Sequence, residues 1–128
     1  MRYAALLMFA LFVCACERDG DGTRGGEFAG PVHDATLKLS VMHVGGSAAS
    51  PVVTSVQNAT ITLHQSYGDA VSSTNPLREA NTGTAGSVQF NGLELNEHFI
   101  RAAHPAYGFS IDSVNTPAHS TTIWEVWL

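Results

Sequence analysis

Along most of the chain, apolar side chains recur at every second position rather than at every third or fourth, which is the signature of half-buried strands and not of helices. In "ATLKLSVMHV" the residues Leu37, Leu39, Val41 and His43 fall on one face, and Lys38, Ser40 and Met42 on the other. "NATITLHQ" sets Ala59, Ile61 and Leu63 against Thr60, Thr62 and His64. "SVQF" contributes Val88 and Phe90, "HFIRAAH" sets Ile100 and Ala102 against Phe99 and Arg101, and "TTIWEVWL" sets Trp124, Val126 and Leu128 against Ile123, Glu125 and Trp127. Between these runs lie breaker signals: Gly45-Gly46, Gly68-Asp69, Asn75-Pro76, "NTGTAG", Asn91-Gly92 and Thr116-Pro117. No stretch of a dozen residues carries an amphipathic helix. The spacing predicts six or seven short strands in roughly 95 residues, an all-β domain of the size of an Ig-like β-sandwich with Greek-key connections. Phe90 and Trp124 are expected to bury the largest areas in its core.

The pattern changes before residue 33. "MRYAALLMFALFVCAC" has one positive charge at Arg2 and an apolar run from Ala4 to Val13. That run is shorter than the ~20 residues that span a bilayer and suits the apolar core of a secretory signal. Val13-Cys14-Ala15-Cys16 resembles the lipobox of bacterial lipoproteins, with Cys16 at the position of the acylated cysteine. The resemblance implies a signal peptide over residues 1–15, a lipid on Cys16, and attachment to a membrane of the bacterial cell envelope. Several acyl chains hold a protein at a membrane where one is marginal, because each buried CH₂ contributes ~0.8 kcal/mol. Residues 16–32, in which Cys16 is followed by "ERDGDGTRGGEFAGP", are rich in glycine and alternating charge without apolar periodicity, and read as a flexible tether. One domain, residues 33–128, follows.

Composition narrows the functional classes. The chain has 128 residues, a net charge of −5 and 13% charged residues, with one lysine and five arginines scattered along it. No basic stripe exists to neutralise a phosphate backbone, which argues against a nucleic-acid partner. Both cysteines lie at positions 14 and 16, so the domain has none for a disulfide, a thiolate metal site or a nucleophile. There is no Gly-x-Ser-x-Gly and no Walker sequence. Glu94 and Glu97 flank a turn, where carboxylates are usually solvated.

"GSVQFNGLELNEHFIRAAHPAYGF", Gly86 to Phe109, reads as a hairpin followed by a corner. It resembles the carboxypeptidase regulatory-like family, a transthyretin-like β-sandwich of secreted bacterial proteins. Gly86, Phe90, Gly92, Leu93, Pro105 and Tyr107 match its pattern, and the likeness covers Leu37 to Leu128. "NTGTAG" departs from it where an Asp-rich turn is usual. The resemblance implies a non-enzymatic module, without cofactor, that binds or organises an envelope protein or a glycan. His98 stands where the family places a core aromatic, which implies a packed ring.

Three sharper chemistries remain to be weighed. "LSVMHV" is similar to the histidine-bearing first strand of hydroxyisourate hydrolase, a related transthyretin-like enzyme. That likeness offers His43 as an acid/base residue and Arg78 as its arginine partner, but "IWEVWL" stands where that enzyme has Tyr-Arg-Gly-Ser. Metal binding would need several of His33, His43, His64, His98, His104 and His119 to converge, although no His-x-His occurs. His98 and His104 share a face only if their strand runs unbroken to Pro105. A binding surface is the third: Trp127 and Ile123 share the outer face of the last strand, where an exposed tryptophan is a stacking platform or interface anchor. Trp127, Ile123, His98 and His104 are therefore the candidate binding residues.

Overall fold

The computed structural model describes residues 33–128. The expected signal peptide (1–15), the expected lipidation at Cys16 and the expected tether (16–32) all lie outside these residues. Eight strands and one short helix form two four-stranded sheets packed as a sandwich, the all-β architecture that the alternating pattern predicts. The strands are β1 (Ala35–Ser47), β2 (Ser50–Ser55), β3 (Thr60–His64), β4 (Arg78–Asn81), β5 (Ser87–Leu93), β6 (Glu97–His104), β7 (Gly108–Asn115) and β8 (Thr121–Trp127). The helix α1 (Tyr67–Ser72) connects β3 to β4. Among the described residues no helix is long and apolar enough to cross a membrane.

The first sheet is built around β1. Its C-terminal half pairs antiparallel with β2, and its N-terminal half pairs antiparallel with β5. Both neighbours use the same edge, because the Val41 N–H donates to Gly86 and the Val41 carbonyl accepts from Val56. The other edge pairs with β8, in parallel, from Thr36↔Thr121 to Met42↔Trp127. The seam where β5 begins and β2 ends requires a glycine. Gly86 has φ +72°, and a Cβ there would stand 2.6 Å from the Ser55 Cβ and 2.9 Å from the Val56 nitrogen.

The second sheet has the order β4-β3-β6-β7, all antiparallel. Leu37, Leu39, Val41, Phe90 and Val126 from the first sheet meet Ile61, Leu63, Ile100, Ala102 and Val114 from the second in one buried cluster. Removing these side chains from water supplies the main stabilisation of a domain this small without disulfides.

Four expectations need correction. Trp124 is 37% exposed rather than a core residue. It lies on the inward face of β8, but β8 is the last strand of its sheet, so the indole covers the open side of the sandwich and its N–H donates to the Asp112 carboxylate on β7 at 2.9 Å. The segment from Gly86 to Phe109 is not a hairpin, because β5 pairs in the first sheet and β6 in the second. Residues 94–96 form an arch between sheets, held by Thr116, whose N–H donates to the Asn96 carbonyl and whose hydroxyl donates to the Leu95 carbonyl. The Gly68-Asp69 breaker lies inside α1, which Ser66 caps by accepting the Asp69 N–H at 3.1 Å. The strand count is eight: β2, β4 and β7 lack the apolar alternation that revealed the others.

Candidate functional site

The outer face of the first sheet is set by the register of β1 and β8. Lys38 lies beside Ile123, Ser40 beside Glu125 and Met42 beside Trp127. Ile123 is 75% exposed and Trp127 44% exposed. The main chain of β8 adds a second feature. The Ser120 carbonyl accepts from Thr36 and the Leu128 N–H donates to Met42, so even-numbered residues turn their peptide groups toward β1. In a strand the odd-numbered residues then turn theirs away. Among the described residues no strand pairs with that outward edge. Ile123, Trp124 and Glu125 line a shallow depression along it.

A second feature lies at one end of the sandwich, where β1 and β6 begin and β5 ends. His98, at the start of β6, is 2% exposed. Thr116 has one hydroxyl proton and gives it to the Leu95 carbonyl at 2.7 Å, so the His98 Nδ1–H donates to Thr116 Oγ1 at 3.1 Å. That assignment leaves the lone pair on Nε2. Among the described residues Nε2 has no hydrogen-bond partner, yet no fully buried side-chain polar atom is left unpaired. His98 lines a cleft of about 290 Å³. Burial, with the nearby His33 and Arg78, pushes the His98 pKa below the ordinary histidine value, so the ring is neutral near pH 7.

Arg78 and Glu94 line the same cleft, with Gln65 and the apolar Leu77 and Leu95. The Arg78 guanidinium donates to the Asn91 and Gly92 carbonyls at 3.4 and 3.2 Å. Two of its five N–H groups are thereby used.

The four candidate binding residues divide into separate places. Ile123 and Trp127 share the face predicted for them. His98 and His104 do share a face of an unbroken β6, but six residues of strand put them about 20 Å apart, at opposite ends of the sandwich. The His104 ring stacks on Tyr107 at 4.9 Å between centroids, and His43 stacks on Tyr107 at 4.0 Å. The His43 Nδ1–H also donates to the Leu128 main-chain oxygen at 2.8 Å. This stack ties β1 to the β6–β7 turn.

His43 and Arg78 are not brought together. Arg78 reaches the end of β5 next to Leu93, which pairs with Ala35, and His43 lies eight residues farther along β1, or about 25 Å. His64 is buried with both ring nitrogens bonded, to the Thr74 carbonyl and to Thr62 Oγ1. Among the described residues no three His, Cys, Asp or Glu side chains gather in metal-binding geometry. Sequence reading missed the meeting of His98, Arg78 and Glu94, which belong to three different segments and converge through the arch alone.

No family model matches the chain, and no curated protein matches it. Among solved structures the fold is similar to that of the minor pilin of the Gram-positive pathogen Streptococcus agalactiae, with a TM-score of 0.54 and 11% sequence identity. The match covers 74% of this chain and 44% of the pilin chain, so this chain spans less than half of that protein. At this identity the likeness shows the β-sandwich fold.

Proposed function

We propose that the chain is a non-enzymatic envelope protein, anchored through lipid on Cys16, whose sandwich binds a protein partner along β8. The carrying observation is that exposed Ile123 and Trp127 lie beside a main-chain edge that no strand among the described residues pairs with. Edge strands are normally blunted by charge, proline or a covering loop. On β8 the only charge is Glu125. An extended segment of a partner with apolar side chains at alternate positions fits this edge, because main-chain hydrogen bonds supply affinity and Ile123 and Trp127 supply anchors.

The resemblance to the carboxypeptidase regulatory-like, transthyretin-like family supports a binding role. The fold shared with a minor pilin is compatible with an envelope location. The lipobox-like Val13-Cys14-Ala15-Cys16 supports the anchor.

Two measurements test this reading. Intact mass of the native product is expected to show a mature chain beginning at acylated Cys16; an unmodified, water-soluble chain overturns the anchor. A photo-crosslinking residue at Ile123, in the native envelope, is expected to give one discrete protein adduct that the same residue at Glu79 does not give. Absence of that adduct, or equal labelling from both positions, overturns the β8 site.

A further inference from the structure

The cleft at the His98 end is a second site, on different residues and independent of β8. Four of its polar groups have unused capacity of complementary kinds among the described residues. His98 Nε2 and the Glu94 carboxylate accept, Arg78 has three N–H groups left to donate, and the Gln65 amide does both. Arg78 and Glu94 cancel in charge, and His98 is neutral. Glu94 opposes a phosphate or carboxylate ligand, and Arg78 opposes a metal cation. A ligand that carries several hydroxyls, each able to donate and accept, meets all of these groups at once. Leu77 and Leu95 supply apolar wall for its C–H surface. The volume of about 290 Å³ accommodates one six-membered sugar ring.

We propose that this cleft binds a single pyranose unit of an uncharged glycan, with His98 Nε2 accepting a hydroxyl proton and Arg78 donating to a neighbouring hydroxyl oxygen. His98 is set for this by the arch. Thr116 spends its proton on Leu95 and thereby holds Nδ1 protonated, so Nε2 keeps its lone pair. An unpartnered acceptor on a ring 2% exposed is costly unless water or a ligand supplies the donor.

The test uses the full-length chain in detergent, labelled with ¹⁵N in its histidines. It is titrated separately with methyl β-D-glucopyranoside, methyl α-D-mannopyranoside and N-acetyl-D-glucosamine. The free protein is expected to show His98 protonated on Nδ1 alone, and at least one sugar is expected to shift the Nε2 resonance saturably. Glu94→Gln, which touches no hydrogen bond of the fold, is expected to weaken that sugar severalfold. Arg78→Gln is expected to weaken it about tenfold, the loss of about 1.4 kcal/mol. Trp127→Ala is expected to leave the titration unchanged. A proton on Nε2 in the free protein, no saturable shift with any of the three sugars, or equal shifts in both cleft variants overturns the proposal.

Discussion

The outer faces of the two sheets have opposite fates. On the second sheet, the outward side of β3 is closed: α1 lies over it, Ala70 is buried, and Thr62 and His64 are buried with their polar atoms bonded to each other. On the first sheet, the outward side of β8 is open, and it presents Ile123 and Trp127 beside a strand edge that is unpaired among the described residues. The local sequences would lead one to expect the reverse, because β3 shows threonine and histidine outward while β8 shows isoleucine and tryptophan. A polar outer row has been buried at the expense of satisfying every group, and an apolar one has been left in water. Burial of the first kind serves the fold; exposure of the second kind points to a partner.

The comparison gives a graded series of expected losses. The shared interior is the reference: Phe90, 5% exposed, contacts the core of both sheets, and Phe90→Ala is expected to cost about 3–5 kcal/mol by urea unfolding. A loss below about 1 kcal/mol would remove Phe90 from the core. At the seam of the first sheet, Gly86→Ala adds a Cβ against main chain at positive φ, and a loss of about 1–3 kcal/mol is expected, read as a lower denaturation midpoint.

On the closed face, His64→Leu leaves the Thr74 carbonyl and the Thr62 hydroxyl without their ring partner, and about 1–3 kcal/mol is expected. A neutral result there would mean that α1 does not seal β3. His98 adds a pH dependence. Its folded pKa is depressed, so the folded state takes up its proton later than the unfolded chain as the solution is acidified. Stability from this group is full above about pH 6.5 and falls as pH drops through the folded pKa. Melting curves from pH 7.5 to 5 are expected to show that decline, and His98→Asn is expected to flatten it.

On the open face, Trp127→Ala and Ile123→Lys are each expected to change unfolding free energy by no more than about 0.5 kcal/mol, and Trp127→Ala is expected to abolish the crosslink from position 123. A large loss of stability in either variant would make the open face part of the fold, and would erase the contrast with β3.

Much of the architecture is legible in local sequence. Period-two alternation located β1, β3, β6 and β8, and placed Leu37, Leu39, Val41, Ile61, Leu63, Ile100 and Val126 on buried faces. It worked because each of these strands has one face packed on the core. It failed for β2, all six of whose residues are exposed, and for β4, an edge strand with little apolar content. Trp124 was misplaced for a different reason: its face follows from alternation, but its depth depends on β8 being the last strand of its sheet. Ile123 and Trp127 were legible as an outer pair, whereas the cleft was not, since no local pattern links Arg78, Glu94 and His98.

The sequence by itself determined that this domain is all-β, which residues of its best-patterned strands face inward, and that no cysteine within it does chemistry, because these follow from side-chain type and a local repeat of two. The tertiary structure alone decided that β5 and β6 part into different sheets, that β8 runs parallel to β1 with an outer edge on which no described strand pairs, and that His98, Arg78 and Glu94 line one cleft. Those depend on which strands meet across the chain, and pairing between distant segments is set by how well whole faces pack rather than by any one segment's pattern.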